Sequence, residues 1–168
     1  MIDEETPDDF EAIAALNRAA FGGEEEVEII DRLRRDGLFA LSLVERDANT
    51  IVGHILFSVL DVTVDGRAVR AVALAPIAVA PARQRSGIGS RLVRHGLNAL
   101  KDRGYEAVIV LGHPDYYPRF GFSAALATKL AAPFSGAAFM ALELKPDALA
   151  GASGAVRYPR AFRIDLPA

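Results

Sequence analysis

The chain has 168 residues, 51% hydrophobic and 24% charged, with no Cys and no Trp. That length is one ordinary domain with enough apolar residues for a continuous core, too aliphatic for disorder and too charged for a membrane-embedded protein. Without Cys there is no thiol nucleophile, disulfide framework or thiolate-bound zinc, and His54, His95 and His113 are too scattered to suggest a histidine-rich metal site. A net charge of −3 argues against general nucleic-acid binding. The charge is unevenly spread, however. Residues 1–36 carry 12 acids and 4 bases, whereas residues 81–103 carry 6 bases and 1 acid.

The N-terminus, Met1-Ile2-Asp3-Glu4-Glu5, has neither the basic start nor the apolar run of a secretory signal, and a cytoplasmic location is expected. The uncharged stretch from Ala71 to Ala82 is interrupted by Pro76 and Pro81 and too short to span a bilayer. Asp8 or Asp9 is placed to cap a helix reaching about Ala20, with Phe10, Ile13, Leu16 and Asn17 on one face. A second helix is predicted over Glu24 to Arg35, with acids leading, bases closing and Gly37 as the stop.

From Leu38 the pattern becomes aliphatic and β-branched. Strands are predicted over Phe39–Glu45, Ile51–Val64 and Arg67–Val79, joined by a tight turn at Asp47–Thr50 and a two-residue hairpin at Asp65-Gly66. A loop then leads to a helix from Gly87 to Arg103 and a strand from Ala107 to Leu111. Strand, crossover helix and strand imply a parallel pair. A helical turn near Tyr116–Phe120 and a strand over Phe139–Leu144 complete the reading. The class is α+β, a mixed, mostly antiparallel sheet with helices on both faces.

The segment Val79-Ala-Pro-Ala-Arg83-Gln84-Arg85-Ser86-Gly87-Ile88-Gly89-Ser90 is the most informative. It leaves a strand, runs through a basic, glycine-containing loop and opens a helix, the arrangement in which backbone N–H groups converge on an anion. Arg83 and Arg85 add charge that phosphates can use. Behind it, Ile88, Leu92, Val93, Gly96, Leu97, Ala99 and Leu100 form one helix face. A dinucleotide fingerprint would need a third Gly where Leu92 stands, and a mononucleotide P-loop would need Gly-Lys-Ser/Thr. A plain structural turn and a diphosphate grip outside both families remain.

Gln84-Arg85-Ser86-Gly87-Ile88-Gly89, preceded by Val79-Ala80-Pro81, resembles the Q/R-x-x-G-x-G/A coenzyme A signature of the GCN5-related N-acetyltransferase (GNAT) superfamily. Tyr117-Pro118-Arg119-Phe120-Gly121-Phe122 is similar to that family's Y-x-x-x-G-F element, and the order of predicted elements agrees over most of the chain. The resemblance looks closest to a bacterial subgroup of N-acetyltransferases. It implies a single N-acetyltransferase domain over residues 1–168, with a core of about 1–145 and a C-terminal extension over 146–168. The implied fold has splayed parallel central strands, Arg67–Val79 and Ala107–Leu111, with Pro76 near the parting.

The same resemblance implies acetyl-CoA as cosubstrate, with no metal. Ile77, Ala78 and Val79 would pair with the pantetheine arm, and the N–H groups of Arg85, Ser86, Gly87, Ile88, Gly89 and Ser90, with Gln84, would hold the pyrophosphate. A backbone N–H near Ala78 is expected to meet the oxyanion, and Tyr117 to protonate the departing thiolate, with Tyr116 as its local competitor. The strand before the signature carries no acid, so the base stays open among Asp61, His113 and a water chain, while His54 is expected in the core.

The expected acceptor is an amine of a small molecule or peptide, with no nucleic acid or membrane partner, in a monomer or homodimer. Acceptor-side loops are expected at Gly22–Arg35 and Ala124–Ala137. Glu24, Glu25, Glu26 and Glu28 are either a field for a cationic amine or a solvated helix start. The alternative from another class is a non-catalytic acyl-CoA-binding regulatory or partner-binding module.

Overall fold

A computed structural model describes residues 1–164. The chain divides into two compact units, Met1–Ser58 with Ala75–Ala99, and Val59–Leu74 with the chain from Leu100 onward. The first holds β1 (Ile2–Glu4), α1 (Phe10–Phe21), α2 (Glu25–Arg35), β2 (Phe39–Asp47), the start of β3 (Thr50–Val64), the end of β4 (Arg67–Val79) and most of α3 (Ile88–Asp102). β1 runs antiparallel to β2, and β2 to β3 from Phe39↔Ser58 to Asp47↔Thr50.

The helices follow from the apolar spacing. Ile13 and Leu16 of α1 and Val27, Ile30 and Leu33 of α2 are buried. Asp9 occupies the N-cap of α1, but its carboxylate serves elsewhere: it accepts from the Thr6 N–H at 2.9 Å and from Arg46 Nη2 at 2.8 Å. The Arg46 guanidinium, helped by the Thr6 bond and opposed by burial, holds the Asp9 carboxyl below its ordinary range. Gly22 ends α1 at φ 80°, and α2 ends at Arg35, one residue ahead of Asp36 and two ahead of Gly37.

A buried polar chain ties these helices to β2 and β3. Asn17 Nδ2 lies 2.9 Å from the Ile13 carbonyl and 3.3 Å from His54 Nδ1, while His54 Nε2 lies 3.0 Å from Ser42 Oγ. The Ser42 hydroxyl donates in turn to Glu5, whose other oxygen takes Arg34 Nη2 at 2.9 Å. One set of donor directions satisfies all of these contacts: Asn17 to Nδ1, and Nε2–H to Ser42. Burial, reinforced by the Arg34 charge, pushes His54 down to about 3, so the ring is neutral. It is the core residue expected from sequence.

α3 packs on the same unit through two glycines. A Cβ on Gly96 would lie 2.4 Å from Phe57 Cε2, and one on Gly53 would lie 2.6 Å from Ile88 Cγ2. Helix and strand therefore approach at distances only hydrogen permits. Ile88, Leu92, Val93, Leu97 and Leu100 are buried, the face the periodicity predicts.

The second unit contains the end of β3, the start of β4, β5 (Ala107–Leu111), α4 (Ala124–Ala127), β6 (Leu130–Ala131), β7 (Phe139–Glu143) and β8 (Gly154–Arg157). Asp65 and Gly66 join β3 to β4 with φ values of 49° and 76°, the two positive dihedrals of the expected hairpin. β4 and β5 pair in parallel from Ala71↔Ala107 to Ala73↔Ile109, and β7 pairs antiparallel with β5 along its length. The hydrogen-bonded order is β1-β2-β3-β4-β5-β7, with β8 on β3 and β6 on β8. Leu60, Val62, Ile109, Phe139, Leu149 and Val156 share one core.

β8 lies in the segment read as an extension, and it pairs with Asp61–Val64 of β3. The chain reaches it through Asp65, whose carboxylate accepts from the Ala152 and Ser153 N–H groups at 3.0–3.2 Å. Those N–H groups lower the Asp65 carboxyl below its ordinary range. Among the described residues no helix is long and apolar enough to cross a membrane.

Gly96→Ala should lower stability by about 1–3 kcal/mol, since the added methyl overpacks Phe57. Urea denaturation checks this, and Gly66, with no atom within 4 Å of its absent Cβ but a φ of 76°, offers a purely conformational comparison.

Candidate active site

The signature segment lies in the first unit. At the end of β4 the Ala80 N–H donates to Val52 O at 2.9 Å, and Pro81–Arg83 then form one 3-10 turn closed by Arg83 N to Ala80 O at 2.8 Å. Gln84 is extended and donates Nε2 to Val79 O at 3.3 Å, while the Ser86 hydroxyl donates back to Arg83 O. Arg85 and Gly87 both take positive φ, 64° and 89°, with Ser86 between them. For Arg85 this left-handed backbone costs about 1–3 kcal/mol, a strain that concentrates at ligand-binding loops.

The first α-helical bond of α3 runs from Arg91 N to Gly87 O at 3.0 Å. The Ile88 and Gly89 N–H groups therefore stand ahead of the helical ladder, at the positive end of the dipole. Gln84, Arg85, Ser86 and Gly87 are exposed, Gly89 and Ser90 half-buried, and the Ile88 side chain is fully buried beneath them. Ile77 and Val79 are half-buried, and Ala78 is buried. This gives a rooted, largely exposed loop at a helix start with no Cβ at two of its positions, suited to an anion.

The loop's arginines are not equivalent. Arg83 Nη1 reaches Asp47 at 2.7 Å. Arg91 engages both oxygens of Glu45, Nε at 2.7 Å and Nη2 at 3.0 Å. Arg83, a charge that the sequence offers to phosphate, is engaged by Asp47, and the acids that hold Arg83 and Arg91 lie 36 and 46 positions away in the chain. The available signal is Glu45 and Asp47 at alternate positions closing a strand that is mostly apolar up to Val44.

The acidic N-terminal segment is also largely paired within its own unit. Glu24 meets Arg18 at 2.5 Å, Glu5 meets Arg34 at 2.9 Å, and Asp31 meets Arg34 at 3.3 Å. Glu25, Glu26 and Glu28 stand in the first turn of α2, where its dipole favours acids.

In the second unit Tyr117 opens a 3-10 turn over Tyr117–Phe120, with the His113 carbonyl accepting from the Tyr116 and Tyr117 N–H groups. Its ring lies on Gly112, where a Cβ would sit 2.3 Å from Cε2, and meets Tyr116 and Phe122 edge-on. Tyr117 is buried, and this burial, with a smaller contribution from Tyr116, pushes the phenol up to about 12. Tyr116 is half-buried and lies under Arg119, whose Cζ is 4.4 Å from its ring. His113 and Asp61 are both exposed.

The second unit also has a cavity of about 270 Å³ lined by α4, Thr128, Leu130, the Phe134–Gly136 segment and Phe139. No titratable side chain lines it. Among the described residues no His, Asp and Glu cluster is arranged to hold a metal ion.

A family model described as an acetyltransferase (GNAT) domain matches residues 1–125. The uncharacterized N-acetyltransferase YhbS of Escherichia coli K12 is 37% identical over 161 residues, spanning 94% of this chain and 95% of that protein. A crystal structure of Escherichia coli YhbS in complex with CoA superposes with a TM-score of 0.89 at 37% identity, covering 97% of this chain and 91% of that one. A GNAT family acetyltransferase from Brucella melitensis, in complex with acetyl-CoA, superposes at 0.79 with 35% identity, covering 96% and 97%. The chain therefore belongs to the GNAT acetyltransferase family.

Proposed function

We propose that the protein transfers the acetyl group of acetyl-CoA directly to a primary amine of a small molecule or peptide. The observation that carries this reading is the rooted loop ahead of α3, with Arg85 and Gly87 at positive φ and the Ile88 and Gly89 N–H groups outside the helical ladder. Such a loop accepts a diphosphate without rearranging, and the CoA and acetyl-CoA complexes of the two relatives support that ligand here.

β4 supplies the second element. Its parallel pairing with β5 runs to Ala73↔Ile109, and Pro76, which has no N–H, follows. Beyond it, Ile77, Ala78 and Val79 offer backbone groups to the pantetheine arm, and the Ala78 N–H is assigned to the oxyanion.

In the reaction, the neutral amine nitrogen attacks the thioester carbonyl, forming the C–N bond. The carbonyl oxygen carries the charge until the C–S bond breaks, the nitrogen loses a proton, and the thiolate gains one. The products are an amide and free CoA thiol. With no Cys in the chain, the acetyl group has no thiol on which to rest in between. Tyr117 is assigned as the donor to the sulfur. A phenol pushed up to about 12 remains protonated at neutral pH, as that role requires.

The acceptor reading draws on the cavity beside α4. A space of about 270 Å³ without titratable lining takes an uncharged apolar group, so the acceptor amine is assigned an aryl or branched alkyl substituent.

Release of CoA thiol from acetyl-CoA across an amine panel tests the activity. Acceptor-dependent release is expected, with arylalkyl amines exceeding short alkyl amines by roughly tenfold in kcat/KM, the value of burying about two methylene equivalents. Saturable CoA binding with no acceptor-dependent thiol would instead support a non-catalytic acyl-CoA-binding module. Equal or better use of polyamines would contradict the apolar acceptor.

Tyr117→Phe should lower kcat by roughly 10²-fold or more, with the acetyl-CoA KM within about twofold of wild type. An unchanged kcat removes Tyr117 as the acid. Its protonation is checked by the 295 nm absorbance difference between wild type and Tyr117→Phe, which should contain no phenolate at pH 10, where an exposed tyrosine is about half ionised.

A further inference from the structure

Two acids on one face of β2 reach the two flanks of the anion loop. Glu45 is buried on its strand, with 8% of its side chain exposed, and holds Arg91 through both oxygens. Asp47, two positions on and so on the same side of the strand, holds Arg83. Arg83 ends the 3-10 turn before the loop, and Arg91 lies in the first turn of the helix after it.

The backbone around Glu45 is adapted to this placement. Its register partner is Gly53, whose missing side chain admits Ile88 and Leu92 of α3. The next residue, Val52, is left out of the β2–β3 register by a bulge, and its carbonyl takes the Ala80 N–H at the loop's entry.

We propose that Glu45 is a positioning residue for coenzyme A binding. Through Arg91, with Asp47 and Arg83 as a weaker second clamp, it holds the Gln84–Gly89 backbone in place before the ligand arrives. This rests on the reading that the loop grips the CoA diphosphate. A bidentate guanidinium–carboxylate pair fixes direction as well as distance, and a loop already ordered loses less entropy on binding. The Asp47–Arg83 pair is the more solvent-exposed on its acid's side, so it contributes less. The clamp also turns Arg83 and Arg91 toward carboxylates, while Arg85 between them is exposed.

The test is Glu45→Gln, which keeps shape and removes charge, read by CoA titration calorimetry and steady-state kinetics. The CoA Kd and acetyl-CoA KM should rise roughly tenfold, while kcat and the acceptor KM stay within about twofold. Arg91→Gln, at a half-exposed position that tolerates the change, should reproduce the effect, and the double variant should be no worse than either single one. Asp47→Asn should raise the KM by about twofold or less.

A lowered Tm with unchanged Kd and KM in these variants makes the pair merely structural and overturns the proposal. Additive losses in the double variant overturn it too. Failure of the wild-type protein to bind CoA would instead remove the underlying reading, so the two failures are distinguishable.

Discussion

A helix start carries N–H groups that its own ladder never satisfies, which side-chain caps, water or a ligand must take up. At α3 the ladder begins at Arg91, and the chain before it bends through two left-handed residues. This helix start is what the surrounding unit is arranged to hold. Gly53 and Gly96 bring the helix onto the strand at distances a methyl group would forbid. Ile88 is buried directly beneath the loop, Val52 holds the entry, and Glu45 and Asp47 hold the flanks.

The charge asymmetry follows from the same constraint. The basic stretch does not form a uniform positive surface, because two of its arginines turn to acids on β2. The acidic first segment is chiefly an internal electrostatic network, with Arg18, Arg34 and Arg46 meeting Glu24, Glu5 and Asp9. The half-exposed Arg18–Glu24 pair adds little stability, whereas Arg34–Glu5 and Arg46–Asp9 have largely buried acids and fix α2 and the start of α1 in place. The His54–Ser42–Glu5 chain does more for specificity. A neutral imidazole with both nitrogens engaged fits one arrangement of helix on sheet and leaves other packings with an unpaired buried polar group.

Much of this was legible because the governing signals are local. Helical spacing placed Ile13, Leu16, Val27, Ile30 and Leu33, and Asp65-Gly66 located a hairpin through its demand for positive φ. The two-glycine loop was legible because anion binding by backbone needs few side chains. What escaped was set by partners distant in sequence. β1, β6 and β8 are two to four residues long and exist only because β2, β3 and one another are there to pair with. Asp9 looked like a cap, and tertiary contact turned its carboxylate to Arg46. Glu45 looked like the polar end of a strand, and its role depends on a helix 46 positions away. The burial that raises the Tyr117 phenol likewise arises from Gly112, Tyr116 and Phe122 around a turn that spacing alone does not close.

The central claim is that backbone N–H groups at the start of α3, held ready by the surrounding unit, grip the CoA diphosphate. Amide hydrogen exchange with and without CoA tests it most directly. Binding should slow exchange at Ser86, Gly87, Ile88 and Gly89 by more than tenfold, with smaller changes in α1 and α2. Saturating CoA that leaves those amides unchanged while protecting another segment would contradict it.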